Sequence, residues 1–366
     1  MSPAEPETQD AFKFFIIAQF YRAMHDMVPD NYDAARYSFD GVDRSDQFLM
    51  REHVFFLDWF FSNLAEIHEA YLHLADEESR AIYKDLLIYR LVGHLHYRVR
   101  STVHSTRDKW AQLARVAVAQ ESKLQTAGMF GALKHYDFEW EGKRYTIDCM
   151  ENGLMYTLAA GQYFFQRDGV CVQPEEGDHV IDGGACLGDT ALVFSNAVGP
   201  SGKVYAFDPV EDNLLVCFSN VEQFALPNVT VFPAGLFDQN VDAPPIRLNA
   251  YNPGFSSSNA VSNDLVLPLR TLDFMVESGD VERVDFIKLD VEGAEMETLR
   301  GAWATIDAFR PKMAISLYHK PDDFFQIINH IRYAHPHYAL HLDHHTIHRE
   351  ETVLYCLPHA CTESDE

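Results

Sequence analysis

With 366 residues the chain is long enough for two domains or one elaborated domain, and a 47% hydrophobic content can fill a sizeable core. A formal net charge of -26 sets up a field that repels phosphate, which argues against a nucleic-acid partner. No apolar run is long enough to span a bilayer, and the short patch Phe14–Phe20 follows acids rather than a basic leader, so a cytoplasmic protein is expected.

From Asp10 to about Gln125 the apolar residues recur at helical spacing. Phe12, Phe15, Ile16 and Phe20 share one face of a first helix, and His53 to Leu74 is aromatic-rich at the same period. Asp76-Glu77-Glu78 opens a further helix, with acids at its positive end. Residues 1–134 are therefore read as a helical N-terminal domain, whose aromatic stripes fit a core and whose exposed portion could form a homo-oligomer contact. Near His135 the period changes to two. Tyr136–Trp140 and Arg144–Ile147 flank Glu141-Gly142-Lys143 as a hairpin, and a helix is expected around Leu154 to Phe165.

Strands and helices then alternate. Strands are expected at Asp178–Ile181, Val204–Phe207, Val229–Phe232, Leu265–Leu267, Asp285–Leu289 and Lys312–Ser316, with helices starting at Thr190, Asp212 and Glu295. This is the pattern of an α/β fold with a mostly parallel sheet covered on both faces. Tyr338–His345 and Thr352–Leu357 read as an antiparallel hairpin at its edge. Residues 135–366 thus form the second predicted domain. The six cysteines make no C-x-x-C pair and no zinc or disulfide spacing, and are read as reduced thiols.

The most informative stretch is Val180-Ile181-Asp182-Gly183-Gly184-Ala185-Cys186-Leu187-Gly188-Asp189-Thr190, a strand, a glycine turn and a helix start. A dinucleotide fingerprint would be G-x-G-x-x-G, but Ala185 stands where its middle glycine belongs, and Asp182 would repel a pyrophosphate. An acid at this turn suits a cationic amino-acid tail, as in S-adenosylmethionine (SAM). Gly184 and Gly188 would let backbone approach the methionyl part, and Asp182 would bind the ammonium. Asp189 and Thr190 would cap the helix or touch the ligand. Asp208, ending the next strand, would grip both ribose hydroxyls. Gly235 and Leu236, past the third strand, would lie by the adenine.

Two further strand ends carry chemistry. Asp285-Phe286-Ile287-Lys288-Leu289-Asp290-Val291-Glu292-Gly293 brings Asp290 and Glu292 to the same crevice, since ligands lie beyond the carboxyl ends of the strands. Ile315-Ser316-Leu317-Tyr318-His319 brings a histidine beside them. His319 is read as the general base, with Asp290 orienting it. Its plainer role is a hydrogen bond to a loop carbonyl. The histidines from His335 to His348 show no zinc spacing and read as packed or solvated side chains. The polar segment Tyr251–Asn259 could cover an acceptor or be a plain surface loop.

The segments VIDGGACLGDTALVF, KVYAFDP, VDFIKLDVEGAE and SLYHKPDDF together resemble the FkbM family of SAM-dependent methyltransferases, over about Tyr145 to Leu357. The resemblance implies a class I methyltransferase fold, Rossmann-like, and O-methylation of a hydroxyl on a sugar, a nucleotide-sugar, a glycan or a natural product. It leaves N-methylation of a small amine and a non-catalytic assembly or regulatory module as alternatives. Some similar sugar O-methyltransferases use magnesium held by carboxylates, a role that Asp290 and Glu292 could fill here, with Asp322 and Asp323 as further oxygen donors or plain helix caps.

Overall fold

The protein is described by a computed structural model covering residues 8–28, 31, 46–124, 133–244 and 266–359. The Tyr251–Asn259 segment lies outside these residues, as does Leu265. Helices span Gln9–Ala23, Asp46–Ser62, Leu64–His73 and Glu77–Val92. Thr8 caps the first, its hydroxyl oxygen accepting the Ala11 N–H, and Asp76 caps the last by accepting from Ser79. Phe12 and Ile16 are fully buried, as the stripe predicted. The aromatic run from His53 to Leu74 is broken between Ser62 and Leu64 into two helices.

Small strands come next: β1 (Gln120–Glu121), β2 (Lys134–Trp140) and β3 (Lys143–Cys149), with β2 and β3 forming the expected hairpin. The helix expected around Leu154 to Phe165 is shorter and wider. One α turn, Glu151–Leu154, passes into a π-helix, Met155–Ala160, closed by Gly161 at φ 63°. Such wide turns cluster at functional sites, and this one delivers Tyr163 to the sheet. β4 (Phe165–Arg167) and β5 (Val170–Val172) follow as a small antiparallel pair.

The main sheet contains β6 (His179–Gly183), β7 (Lys203–Phe207), β8 (Val229–Phe232), β11 (Phe286–Leu289), β12 (Lys312–Ser316), β13 (Tyr338–His344) and β14 (Thr352–Pro358), in the order β13-β14-β12-β11-β6-β7-β8. β12, β11, β6, β7 and β8 run parallel, and β14 and β13 add the predicted antiparallel edge. β9 (Gly235–Leu236) and β10 (Leu269–Arg270) form a separate parallel pair. The chain leaves β6 toward β7 and β8, then returns to β11 on β6's other side. That reversal is a topological switch point, where a crevice opens beyond the strand ends. The architecture is a Rossmann-like sheet with helices on both faces.

Successive strand residues point to opposite faces. Ile181, Tyr205, Phe207, Ile287, Leu289, Met313 and Ile315 enter one core, whereas Val180, Val204, Ala206, Phe286 and Ala314 enter the other. The first of these cores also contains Phe12, Phe60, Tyr71, Tyr83 and Leu86 from the N-terminal helices. The change of pattern near residue 134 therefore marks a change of secondary structure and does not divide the core. Tyr83 stacks on Phe324 with centroids 4.3 Å apart. Trp59 Nε1 donates to Asp322 (2.7 Å), and Arg167 pairs with both Asp76 and Asp343. The C-terminal histidines stitch the same joint: His341 meets Asp76, His345 meets Thr102 and Tyr355, and His348 meets Tyr89. Among the described residues no helix is long and apolar enough to cross a membrane.

Phe324→Ala should cost about 3–5 kcal/mol through the cavity it leaves. Because the core is shared, far-UV circular dichroism and tryptophan fluorescence should report one coincident unfolding transition. Two separate transitions would restore an independent helical domain.

Candidate active site

The register of the central strands places Lys288 of β11 directly beside Asp182 of β6, on the same face. Their outer neighbours in that row are Ala314 and Ala206, small enough to leave room. Both charged groups are sealed from solvent, at 1% and 0% exposure. Lys288 Nζ lies 3.1 Å from Asp182 Oδ1 and donates to the carbonyls of Gly183 (2.9 Å) and Gly184 (2.7 Å). The Tyr163 ring covers it. Burial alone would push this ammonium down, but Asp182 and Asp290 more than offset that and hold it above the usual lysine range. Thr190 completes the set by donating its hydroxyl to Asp182 Oδ2 (2.7 Å).

This arrangement changes several expected roles. Asp182 and Thr190 hold the turn and face protein on all sides, so neither is placed to meet a ligand's ammonium. Asp208 was expected to be an open ribose clamp. It is 5% exposed and its oxygens accept from the Cys186 and Val210 amides and from Asn213. Burial pushes its carboxyl up to about 6. The short side chain folds back and pins the turn at Cys186, which sits at φ 48°. The two turn glycines are also required by protein rather than by ligand. A Cβ on Gly184 (φ 76°) would lie 1.8 Å from the Asp290 carbonyl, and one on Gly188 (φ 85°) would lie 3.0 Å from Cys217 Sγ. Leu236 is a core residue against Gly183, its carbonyl accepting from Thr298. Gly184, Cys186, Asp189 and Gly235 are the partly exposed members of the predicted cofactor set and its turn. Burial pushes the Asp189 carboxyl up to about 6.

Across the switch point, Asp290 and His319 meet as expected. Asp290 accepts from Tyr163 (2.8 Å) and from Tyr318 (3.1 Å to each oxygen), and His319 Nε2 lies 3.3 Å from its Oδ1. His319 Nδ1 faces Glu295 Oε1 at 2.9 Å. Ionised carboxylates only accept hydrogen bonds. Facing two ionised carboxylates, both ring nitrogens would carry protons and His319 would be an imidazolium. Burial works against that charge, but Glu295, Asp290 and Glu292 outweigh it and raise the ring to about 10. A ring held in its charged form offers no lone pair at neutral pH, which weighs against the expected general-base role of His319.

Atoms of Asp290, Glu295 and His319 that could bind a metal lie within 4.8 Å of one another. The predicted pair was Asp290 with Glu292. Asp290's oxygens are engaged by two phenols and an imidazolium, and Glu292 stands outside that trio. A hard divalent ion needs bare oxygens, so these residues do not fit one and no step is drawn through a metal.

Neither Lys288 nor the two tyrosines was singled out from sequence. A lysine inside a four-residue strand buried on both faces was the available signal, since buried charges need partners. Lys288→Met should leave Asp182 buried and uncompensated, at a cost of about 3–5 kcal/mol in urea unfolding, with Asp182→Asn added in the double variant recovering part of it. A neutral single variant would show that the pair does not hold the turn.

Residues 182–347 match the family model described as the methyltransferase FkbM domain. A curated hexuronic acid methyltransferase, AglP of Haloferax volcanii, is 30% identical over 135 residues, 35% of this chain and 52% of the relative. The chain thus spans about half the length of that relative. In structure the chain is similar to a methyltransferase FkbM from Methylobacillus flagellatus KT, with a TM-score of 0.54 at 18% identity, covering 93% of this chain and 77% of the other. The glycine turn and the acid-tipped strands fall on or beside the segment that matches, so residues 182–347 of this chain are similar to the FkbM methyltransferase domain.

Proposed function

We propose that the domain binds S-adenosylmethionine at the β6–β7 side of the crevice and transfers its methyl group to a sugar hydroxyl, a hexuronic acid being the first candidate. The charge of the crevice supports this most. Asp189, Asp208, Asp290, Glu292 and Glu295 converge on it around the Asp182–Lys288 pair, with His319 as the facing cation. Such a field concentrates a cationic sulfonium with its ammonium tail and opposes a pyrophosphate, which speaks against a nicotinamide dinucleotide.

The cofactor supplies an activated methyl group. The protein's part is to orient the acceptor and receive its proton. On this reading the partly exposed backbone of Gly184, Cys186 and Gly235, with Asp189, surrounds the nucleoside and amino-acid parts. Asp182, Asp208, Gly188 and Thr190 keep that surface in shape. The hexuronic acid comes from the Haloferax relative's name. The same excess of acids would also attract a protonated amine, which keeps N-methyl transfer as a second reading.

Calorimetry with SAM and with NAD, followed by incubation of methyl-labelled SAM with D-glucuronic acid and with D-glucosamine, tests both. SAM should bind, NAD should not, and label should transfer to D-glucuronic acid. Failure to bind SAM would remove the cofactor assignment. Label on D-glucosamine nitrogen alone would move the reaction to amines.

A further inference from the structure

We infer that Glu292 takes the acceptor's proton, while His319 beside it is a fixed imidazolium that positions Asp290 and tunes Glu292; this rests on the methyl-transfer reading above. Three carboxylates surround His319, and they differ in kind. Glu295 is fully buried and accepts the Val291 N–H as well as the ring. Asp290 is saturated by Tyr163, Tyr318 and His319. Glu292 has a side chain 56% exposed, with Oε2 3.7 Å from His319 Nε2, and among the described residues it accepts no hydrogen bond. Its backbone, at φ 54°, is in the left-handed region that glutamate rarely adopts. At this strand exit the Glu292 side chain meets His319 on one side and solvent on the other. Backbone strain of this sort collects at working sites.

The groups facing Glu292 come from several elements. They are His319 and Tyr318 after β12, Asp290 on its own loop, Glu295 opening the next helix, Glu351 before β14, and Cys186 in the glycine turn. The Glu292 side chain keeps a solvent-facing edge, but the protein packed around its inner side, with Asp290, Glu295 and Glu351, raises its carboxyl to about 7 against the pull of His319. A carboxylate poised there is matched to proton transfer near neutral pH. In the step, the acceptor hydroxyl gives its proton to Glu292 as the oxygen–carbon bond forms. The sulfur–carbon bond of the methyl donor breaks, its electron pair stays on sulfur, and the neutral thioether leaves.

The test is a carboxyl-carbon NMR titration of the full chain, with the Glu292 signal assigned by its loss in Glu292→Gln, and repeated in His319→Gln, with SAM and with S-adenosylhomocysteine. Wild-type Glu292 should titrate near 7. His319→Gln should move that midpoint to higher pH by about one unit or more, because a neighbouring cation is lost. SAM should lower it more than S-adenosylhomocysteine does, because only SAM carries the sulfonium charge. A wild-type midpoint near the ordinary glutamate value of about 4.3, no movement in His319→Gln, or equal effects of the two ligands would each overturn the inference. Turnover on D-glucuronic acid should rise with pH through about 7 and, measured at saturating SAM, fall about 100-fold or more in Glu292→Gln. Should wild type not methylate D-glucuronic acid, the acceptor reading fails while the titration still decides the role of Glu292. Should SAM not bind, the cofactor reading fails and the proton-accepting role with it, while the midpoints of wild type and His319→Gln still decide whether His319 tunes Glu292.

Discussion

A lysine ammonium sealed inside a parallel sheet is the constraint on which the rest of this site depends. Lys288 cannot meet water, so its protons must go to Asp182 and to the carbonyls of Gly183 and Gly184. Those contacts fix where β6 ends and how the glycine turn leaves it. The turn in turn must pass against the Asp290 carbonyl, which leaves no room for a Cβ at residue 184. One buried charge thus ties together the two strands that flank the switch point, and with them the two sides of the crevice.

The same logic explains why a crevice so rich in acid folds at all. Neighbouring like charges oppose ionisation, and burial adds to the cost. Lys288 and His319 place two buried cations among the carboxylates, one under the turn and one under the β11 exit. Asp290 stays ionised between them, its carboxyl held below the usual range despite burial by His319, Lys288 and the two phenols. Carboxylates for which burial outweighs the pull of these cations are pushed upward, as at Asp189, Asp208 and Glu292. The N-terminal helices take part indirectly. They share a core with the sheet and hold Asp322 and the β13–β14 edge through Trp59, Asp76 and Thr102.

Much of this was legible in the residues. Alternating apolar strands and helices foretold the sheet, and the acids at strand ends foretold which side chains gather around the switch point. What could not be read was the direction each side chain takes. Asp182 and Asp208 occupy the right strand ends but turn inward, because a lysine in register and a set of turn amides claim them first. His319 arrives beside Asp290 as expected, yet Glu295 on its far side changes its protonation state. No spacing in the sequence shows that a residue six positions past β11 will reach the other ring nitrogen. Gly188 and Leu236 were assigned to ligand because bare backbone and an apolar side chain suit a nucleoside. Protein neighbours fill that space instead. The shared core was hidden too, since a change of period near His135 reveals a change of element and says nothing of packing across it.

A crystal structure with S-adenosylhomocysteine would test the central claim most directly, because that ligand carries the nucleoside and sulfur of the methyl donor without its charge. The account places the nucleoside beyond the β6 and β7 ends, the amino-acid tail along the Gly184–Asp189 turn, and the sulfur facing Glu292 with His319 behind it. A ligand bound elsewhere, or a sulfur turned away from Glu292, would contradict it.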